Sequence, residues 1–199
     1  MSGVRVPYRA PMDSEDIILY PTDTLYGLGV DATNPEMVQK LNTLKGRGNE
    51  KHLSIAVADT AMLEKYAEIT PLAEQLIEKF LPGKLTLILN VRDPGFGHIA
   101  YEGTIGVRIP NQEQVLELIR EFGKPITATS ANMSGMAPER TPENILKQFG
   151  EKAGMITKVI DIGELPPSEP STVVDARGEK PVIIREGAIS KVAIFESVG

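Results

Sequence analysis

The 199-residue chain carries 27 acidic and 21 basic residues, a formal net charge of −6, and no cysteine. The missing thiols exclude cysteine nucleophiles, iron–sulfur clusters and cysteine-bound zinc, and the acidic balance disfavours wholesale binding of a nucleic-acid backbone. The longest unbroken apolar runs are four residues, far short of the roughly 20 needed to span a bilayer. The first residues also lack the apolar segment of a secretion signal, so we expect a soluble, cytoplasmic protein with no membrane partner.

Short β-like runs alternate with amphipathic helices along the chain, which is typical of an α/β or mixed α+β fold. In the first half, a helix should begin at Pro35 behind the N-cap Asn34, with its apolar residues spaced as one helical face. Asp59 and Thr70 are in position to cap two further helices. The strands predicted for this half cover residues 17–20, 53–58 and 85–91.

The second half of the chain continues the alternation. Asn111 should cap a helix that ends at Gly123, and Thr141 should cap another that ends at Gly150. The strands predicted for this half cover residues 104–109, 125–130, 155–161, 172–175 and 182–185.

The domain organisation predicted from these elements is simple. Residues 1–12 have no clear pattern, and residues 13–199 are expected to form one domain without an additional C-terminal domain. The proline-rich segment 166–170 is stiff and extended, and it is a candidate lid.

Familiar catalytic motifs do not occur in the sequence. Gly83-Lys84 is followed by Leu85 rather than Ser or Thr, so the phosphate-loop pattern fails, and the nucleophile motif GxSxG is missing. The two histidines, His52 and His98, are too few for a transition-metal site, and His98 is expected to be an exposed loop residue. The sequence therefore favours chemistry that needs neither a covalent nucleophile nor a resident transition metal.

Runs rich in hydroxyl and amide side chains follow two of the predicted strands. They are residues 21–27 (PTDTLYG) and 127–135 (TATSANMSG). In α/β sheets ligands bind where loops meet beyond strand ends, and glycine lets backbone N–H groups approach an anion. Either run alone is more often a plain turn, whereas two in one chain favour a shared ligand site.

Basic residues are concentrated in one short segment of this acidic chain. Residues 40–51 contain four basic side chains and one acidic side chain. A stretch of charged residues that is simply exposed to solvent explains this pattern about as well as a polyphosphate-binding site does. Arginines within apolar strands, however, require an anionic partner. A nucleotide together with a carboxylate substrate would provide such partners for the candidate basic groups, which are Lys40, Lys45, Arg47, Lys51, Arg108 and Arg185.

Five short motifs, with two more that close the pattern, occur in order between residues 17 and 189. They are PTDTLYGLG (21–29), KGR (45–47), LPGKLT (81–86), GVRIPN (106–111) and TSANMSG (129–135), followed by STVVD (171–175) and REG (185–187). The ordered set resembles the YrdC-like family, the threonylcarbamoyl-AMP synthases. One departure follows the KGR motif, where Gly48 and His52 stand in place of the family's usual prolines.

The resemblance implies a mixed α/β fold in which a twisted, mostly mixed open sheet is flanked by helices around a large concave positive cavity. It also implies a nucleotidyltransferase that forms threonylcarbamoyl-AMP and pyrophosphate from L-threonine, bicarbonate and ATP. The product would pass to a downstream threonylcarbamoyl transferase that modifies tRNA. Mg²⁺ is expected with the ATP, held by phosphates and water rather than by protein ligands.

Positions that match the family's motifs carry the contacts that the resemblance implies. Thr24, Arg108 and Ser171 would bind threonine. The catalytic residues would be Lys45, Arg47, Ser130 and Asn132. The ATP-binding residues would be Lys45, Arg47, Lys51, Thr104, Ser130, Asn132 and Arg185.

The residues are compatible with this chemistry. The carbamate formed from threonine and bicarbonate would attack the α-phosphorus, so the protein has to position anions and stabilise charge on the phosphoryl oxygens. Two alternatives stay open: a paralogue that acts on another carbamoyl or acyl adenylate, and an RNA-binding module. The net charge of −6 disfavours the RNA-binding module and predicts weak or no direct nucleic-acid binding.

Overall fold

A computed structural model describes residues 11–47 and 53–198, together with the backbone of residues 4–5. Within these residues the strands are β1 (Val4–Arg5), β2 (Ile18–Tyr20), β3 (Gly27–Gly29), β4 (Ser54–Ala56), β5 (Leu85–Asn90), β6 (Thr104–Arg108), β7 (Ile126–Ser130), β8 (Lys158–Val159), β9 (Thr172–Asp175) and β10 (Val182–Arg185). The helices are α1 (Pro35–Lys45), α2 (Thr60–Tyr66), α3 (Pro71–Phe80), α4 (Glu113–Phe122), α5 (Pro142–Phe149) and α6 (Lys191–Glu196), with 3₁₀ helices at Pro94–His98 and Gly150–Met155.

The strands form one mixed sheet in the order β1-β8-β2-β3-β7-β4-β6-β5-β9-β10. Parallel pairing joins β8 to β1 and β2, β4 to β6, and β5 to β9. The other neighbouring pairs are antiparallel: β2–β3, β3–β7, β7–β4, β6–β5 and β9–β10. The mixed sheet flanked by helices that the resemblance implies is therefore confirmed.

Both faces of the sheet carry a hydrophobic core. Leu19 contributes to the larger core, which includes the buried faces of α1, α3 and α5. Ile18 and Tyr20 point the other way, into a smaller core built largely on α4. Because successive side chains of a strand alternate between faces, this two-sided burial explains why residues 17–20 are continuously apolar.

Most of the predicted helix boundaries are confirmed. The side chains of Asn34, Asp59 and Thr70 accept hydrogen bonds from the first turns of α1, α2 and α3. The prediction that Asn111 caps α4 is wrong, because the backbone is still extended at Gln112 (φ −148°, ψ 101°). The helix therefore begins one residue later than an Asn111 cap would allow.

Several elements differ from the sequence-based expectation. The sequence did not predict β1, β3 and α6, which are only two, three and six residues long. The strand predicted over 155–161 is reduced to β8: Met155 belongs to a 3₁₀ helix, and only Lys158 and Val159 pair as a strand. His98 is not an exposed loop residue: it ends the 3₁₀ helix Pro94–His98, and its Nε2 atom lies 2.9 Å from the Ala32 carbonyl oxygen.

The helices of the described residues are short. The longest, α1, has 11 residues, and none combines the length and apolar character that a membrane-crossing helix requires.

Candidate active site

A cavity of about 380 Å³ lies on the face of the sheet that also carries α4. Its lining includes Ser54 and Ala56 from β4, and Ala128, Thr129 and Ser130 from β7. These side chains are small, so this part of the sheet is left open where larger side chains would fill it. The volume is typical of small-molecule sites, which span about 300–1,000 Å³.

The loop between β2 and β3 forms one wall of the cavity. The Thr22 hydroxyl accepts hydrogen bonds from the backbone N–H groups of Thr24 and Leu25, at 3.1 and 3.2 Å. This local turn places Thr24 in the cavity wall. The Tyr26 hydroxyl donates to the Gly163 carbonyl at 2.8 Å, so the wall is also fastened to the segment that follows β8.

Arg108, the last residue of β6, has its guanidinium fixed on three sides. Its Nε donates to the Gly83 carbonyl at 3.2 Å, its Nη1 to the Thr24 hydroxyl at 3.0 Å, and its Nη2 to Asp23 Oδ1 at 2.6 Å. The Arg108 and Asp23 side chains are only 10% and 11% exposed. Asp23 is therefore the anionic partner that an arginine in an apolar strand requires.

Ser171 and Arg185 form another part of the cavity wall. Arg185 Nη2 donates to the Ser171 carbonyl at 2.7 Å, and the Ser171 hydroxyl lies 2.9 Å from the Thr86 hydroxyl. The Gly187 N–H donates to the Thr172 hydroxyl at 3.0 Å. The chain before β9 and the chain after β10 are thus joined into one wall.

The end of α1 brings two buried cations to the cavity. Gly46 ends the helix in the left-handed conformation (φ 64°), and Arg47 then lines the cavity. Arg47 Nε donates to Asn42 Oδ1 at 2.8 Å, whereas Arg47 Nη2 is buried without a hydrogen-bond partner. Lys45 is only 3% exposed, and its ammonium donates to the Ser130 carbonyl. Within the described residues, no carboxylate forms an ion pair with either cation.

The loop after β7 is tied to the same helix end. The Ser130 hydroxyl donates to Asn132 Oδ1, and Asn132 Nδ2 donates to the Met136 carbonyl at 2.7 Å. The Ser134 N–H donates to the Lys45 carbonyl at 3.0 Å. The KGR and TSANMSG motifs, which are far apart in sequence, therefore form one structural unit.

Burial shifts the protonation of the cations around the cavity. Loss of hydration, reinforced by the nearby Arg47, lowers the pKa of Lys45 to about 7, and burial lowers the pKa of Arg47 to about 10. Burial, with a smaller contribution from Arg108, also lowers the pKa of Arg185. These are the shifts expected for cations held out of water without a counter-ion, and a bound anion would reverse them. The cavity therefore suits a polyanion.

The structure brings most of the predicted site residues together. Lys45 lies at the edge of the cavity, in contact with Ser130. Thr104 does not line the cavity: it begins β6, four residues before Arg108, and its hydroxyl donates to the Tyr101 carbonyl at 2.8 Å. Lys51 lies outside the described residues. The predicted residues that line the cavity are Thr24, Arg47, Arg108, Ser130, Asn132, Ser171 and Arg185.

Sequence reasoning missed Asp23 and the small residues of the cavity face. Asp23 lies inside the PTDTLYG motif, but only the fold shows that it meets Arg108, 85 positions away. The small side chains of β4 and β7 did leave a signal, because Ser54, Ala56, Ala128 and Ser130 alternate with bulkier residues. A strand with small residues at every second position indicates a face that is kept open.

The cavity does not include a built metal site. Within residues 11–47 and 53–198, no group of three or more His, Asp or Glu side chains is placed to hold a metal ion. The Asp23 carboxylate beside the cavity pairs with Arg108 through Oδ1. The residues described do not fit a protein-held metal, and we assign no step to one.

Residues 11–187 match the family model Sua5_yciO_yrdC, which is described as "Telomere recombination". The chain belongs to the Sua5/YciO/YrdC family. A relative from Methanocaldococcus jannaschii is 42% identical over 174 residues, which are 87% of this chain and 80% of the relative. A Bacillus subtilis member named threonylcarbamoyl-AMP synthase is 34% identical over 193 residues, 96% of this chain and 55% of its own length.

A solved structure of the family has the same fold. P. abyssi Sua5, determined in complex with L-threonine, aligns with a TM-score of 0.83 at 33% identity over 93% of this chain. The aligned part is 54% of the P. abyssi protein. The chain thus spans about half the length of the B. subtilis and P. abyssi members.

Proposed function

We propose that this chain is a threonylcarbamoyl-AMP synthase, a nucleotidyltransferase that converts L-threonine, bicarbonate and ATP into threonylcarbamoyl-AMP and pyrophosphate. The observation that carries the proposal is one cavity with two different ends. Arg47, with Lys45 at the cavity edge, suits a polyphosphate, whereas Thr24, Arg108 and Ser171 suit an amino acid, and we assign these two groups to the two ends of the bound substrates. The family members named for this activity support it.

At the nucleotide end, the phosphate-binding groups are held in place before the ligand arrives. Arg47 is oriented by Asn42 and lines the cavity, where it would bind the triphosphate, while Lys45 is held against the Ser130 carbonyl. Fixed donors stabilise the negative charge that grows on the phosphoryl oxygens without a cost of reorganisation. These residues therefore stabilise the transition state of adenylate transfer.

At the amino-acid end, the hydroxyl and guanidinium groups orient threonine. The threonine nitrogen, as the neutral amine, bonds to the carbon of bicarbonate while a C–O bond breaks and water leaves. An oxygen of the resulting carbamate then attacks the α-phosphorus of ATP. The bond from that phosphorus to the bridging oxygen of the β-phosphate breaks, and pyrophosphate leaves with the electron pair. No protein atom forms a covalent bond, so positioning and electrostatics account for catalysis.

The same proposal includes the expected partners. Mg²⁺ would enter as the counter-ion of ATP, bound by phosphate oxygens and water. The reactive adenylate would pass to a cytoplasmic transferase that modifies tRNA. The acidic surface, with a net charge of −6, supports weak or no direct tRNA binding by this chain.

Nucleotide binding is expected to take up a proton at pH 8. In the free protein the pKa of Lys45 is about 7, so most of this side chain is neutral at pH 8. The triphosphate favours the charged form and raises that pKa. Calorimetry of ATP binding at pH 8, in buffers of different ionisation enthalpy, measures the uptake. ATP affinity should fall above pH 7 by at most about ten-fold per pH unit, and pH-independent affinity without proton uptake would contradict the role of Lys45.

The activity itself is tested by pyrophosphate release from ATP and bicarbonate, screened across the standard amino acids. We expect release with L-threonine and little with the others. Release with a different amino acid would favour the paralogue that acts on another adenylate. No release with any amino acid, in protein that is folded and binds ATP, would contradict the proposal, and tight tRNA binding with a steep salt dependence would favour the RNA-binding module instead.

A further inference from the structure

One hydroxyl in the cavity lining has no partner among the described residues. Ser54 of β4 lines the cavity and is only half-buried, so a ligand can reach its side chain, and no described residue hydrogen-bonds its hydroxyl. Thr129 also lines the cavity, but it pairs with Leu28 of the larger core, so its side chain lies on the other face of β7. The lining hydroxyls that already have a partner are those of Thr22, Thr24, Thr86, Ser130 and Ser171.

The neighbours of Ser54 show that its hydroxyl is not needed to keep the cavity open. Its cross-strand partners are Ala128 on β7 and Gly106 on β6, and the next residue of β4 on the same face is Ala56. These residues leave the sheet face open without a hydroxyl. Gly106 also makes room for Ser54, because a Cβ at Gly106 would overlap the Ser54 Oγ. The hydroxyl therefore has space in the cavity and no role in packing.

The register of the sheet places Ser54 between the two groups of proposed substrate-binding residues. Arg108 lies two residues beyond Gly106, towards the C-terminal end of β4, and Ser130 lies two residues beyond Ala128, towards the N-terminal end of β4. A step of two residues along a strand and one strand across separates each of their Cα atoms from that of Ser54 by about 8 Å. Arg108 belongs to the amino-acid end and Ser130 to the nucleotide end. A ligand group above Ser54 is therefore the group that joins the amino acid to the nucleotide.

In the proposed reaction the joining group is the carbamate. One carbamate oxygen attacks the α-phosphorus, and the second is free to accept a hydrogen bond, which is stronger when the acceptor carries negative charge. Holding the second oxygen turns the first towards the phosphorus, and such orientation lowers the barrier to attack. A neutral hydroxyl can do this without drawing the triphosphate away from the cations at its own end.

We propose that the Ser54 hydroxyl donates a hydrogen bond to bicarbonate, and then to the carbamate oxygen that does not attack phosphorus. Ser54 thus forms the subsite for the one-carbon substrate. This assignment rests on the proposed function, because it takes bicarbonate as a substrate. ATP and threonine bind on either side of Ser54, so their affinities should not depend on its hydroxyl.

The test measures the KM for bicarbonate, from pyrophosphate release in CO₂-depleted buffer with ATP and threonine saturating and bicarbonate added back. In Ser54→Ala this KM should rise about 10-fold or more, the value of a charge-assisted hydrogen bond. Calorimetry should show that the affinities for ATP and for threonine are unchanged. Ser54→Thr keeps the hydroxyl and Ser54→Val has the same shape without it, so the KM of the threonine variant should stay closer to wild type.

The measurements separate a bicarbonate contact from a general change in the cavity. An unchanged KM for bicarbonate in Ser54→Ala would overturn the proposal, and so would equal KM values in Ser54→Thr and Ser54→Val. A loss of ATP or threonine affinity as large as the rise in KM would also overturn it, because the substitution would then have changed the cavity as a whole. Thermal unfolding checks that the variants are folded. Failure of the proposed function is seen separately, as no pyrophosphate release by wild-type protein with any amino acid.

Discussion

Replacing Lys45 with methionine is expected to reduce threonine-dependent pyrophosphate release by about 100-fold or more, because a fixed donor to the phosphoryl oxygens is lost. Methionine fills the same buried space as the lysine stem but carries no charge. The matched control is Lys40→Met, on an exposed position of the same helix, which should keep near wild-type turnover. Steady-state kinetics of both variants check the prediction, and equal losses in the two would contradict a catalytic role for Lys45.

The same substitution is expected to stabilise the fold at neutral pH. The pKa of Lys45 falls from an ordinary value of 10.5 to about 7 in the folded protein, so between these pH values the unfolded chain binds more protons. The free energy of unfolding therefore rises with pH across that window, by at most about 1.4 kcal/mol per pH unit from this group. Lys45→Met removes this pH-dependent contribution. Its free energy of unfolding should therefore exceed that of wild type by the largest amount at pH 7 and below.

Urea unfolding at pH 7 and pH 9 measures this effect, with Lys40→Met again as the control. The difference in free energy of unfolding between Lys45→Met and wild type should be smaller at pH 9 than at pH 7. For the Lys40→Met control, this difference should not change with pH. A gain independent of pH would contradict the buried, easily deprotonated state of Lys45. The sequence alone predicts only lost turnover with little change in melting temperature for Lys45→Ala; the burial of Lys45 is what adds the stability effect.

The local features of the fold could be predicted because short-range chemistry determines them. Asn34 followed by proline and a helical apolar stripe specifies the start of α1, and Gly46 and Gly123 end α1 and α4 as left-handed residues. The longest strand, β5, is also recognisable, because it is a largely apolar run bounded by turn residues. Elements of two or three residues, such as β1 and β3, carry too little pattern for prediction and depend on their neighbours in the sheet.

The site was predictable as a set of residues but not as an arrangement. The motifs place Arg47, Ser130 and Arg185 around one ligand only through the resemblance, since no local rule brings such distant positions together. Asp23 illustrates the limit: its partner Arg108 is 85 positions away, and its unused oxygen is visible only when the burial of the pair is known. Thr104 illustrates another limit, because a residue carried over by position through the resemblance can lie on a strand that reaches the cavity without lining the cavity itself.

Replacing Gly187 with alanine is expected to raise the KM for threonine by about ten-fold or more and to destabilise the fold by about 1–3 kcal/mol. A Cβ at this position would overlap the Pro170 carbonyl oxygen and lie 2.9 Å from the carbonyl carbon of Ser171. These are backbone atoms, so the clash cannot be relieved by rotating a side chain. The wall that carries Ser171 must move away from Thr86 and Arg185, and the predicted threonine contact moves with it.

Gly178→Ala is the matched control, because a Cβ there would meet no atom within 4 Å. Kinetics with threonine varied at saturating ATP, combined with urea unfolding, separate the two effects of Gly187→Ala. A loss of stability alone, with an unchanged KM for threonine, would mean that the wall carrying Ser171 does not contact the amino acid. A raised KM for threonine with little change in ATP affinity would place the amino acid, rather than the nucleotide, against Ser171.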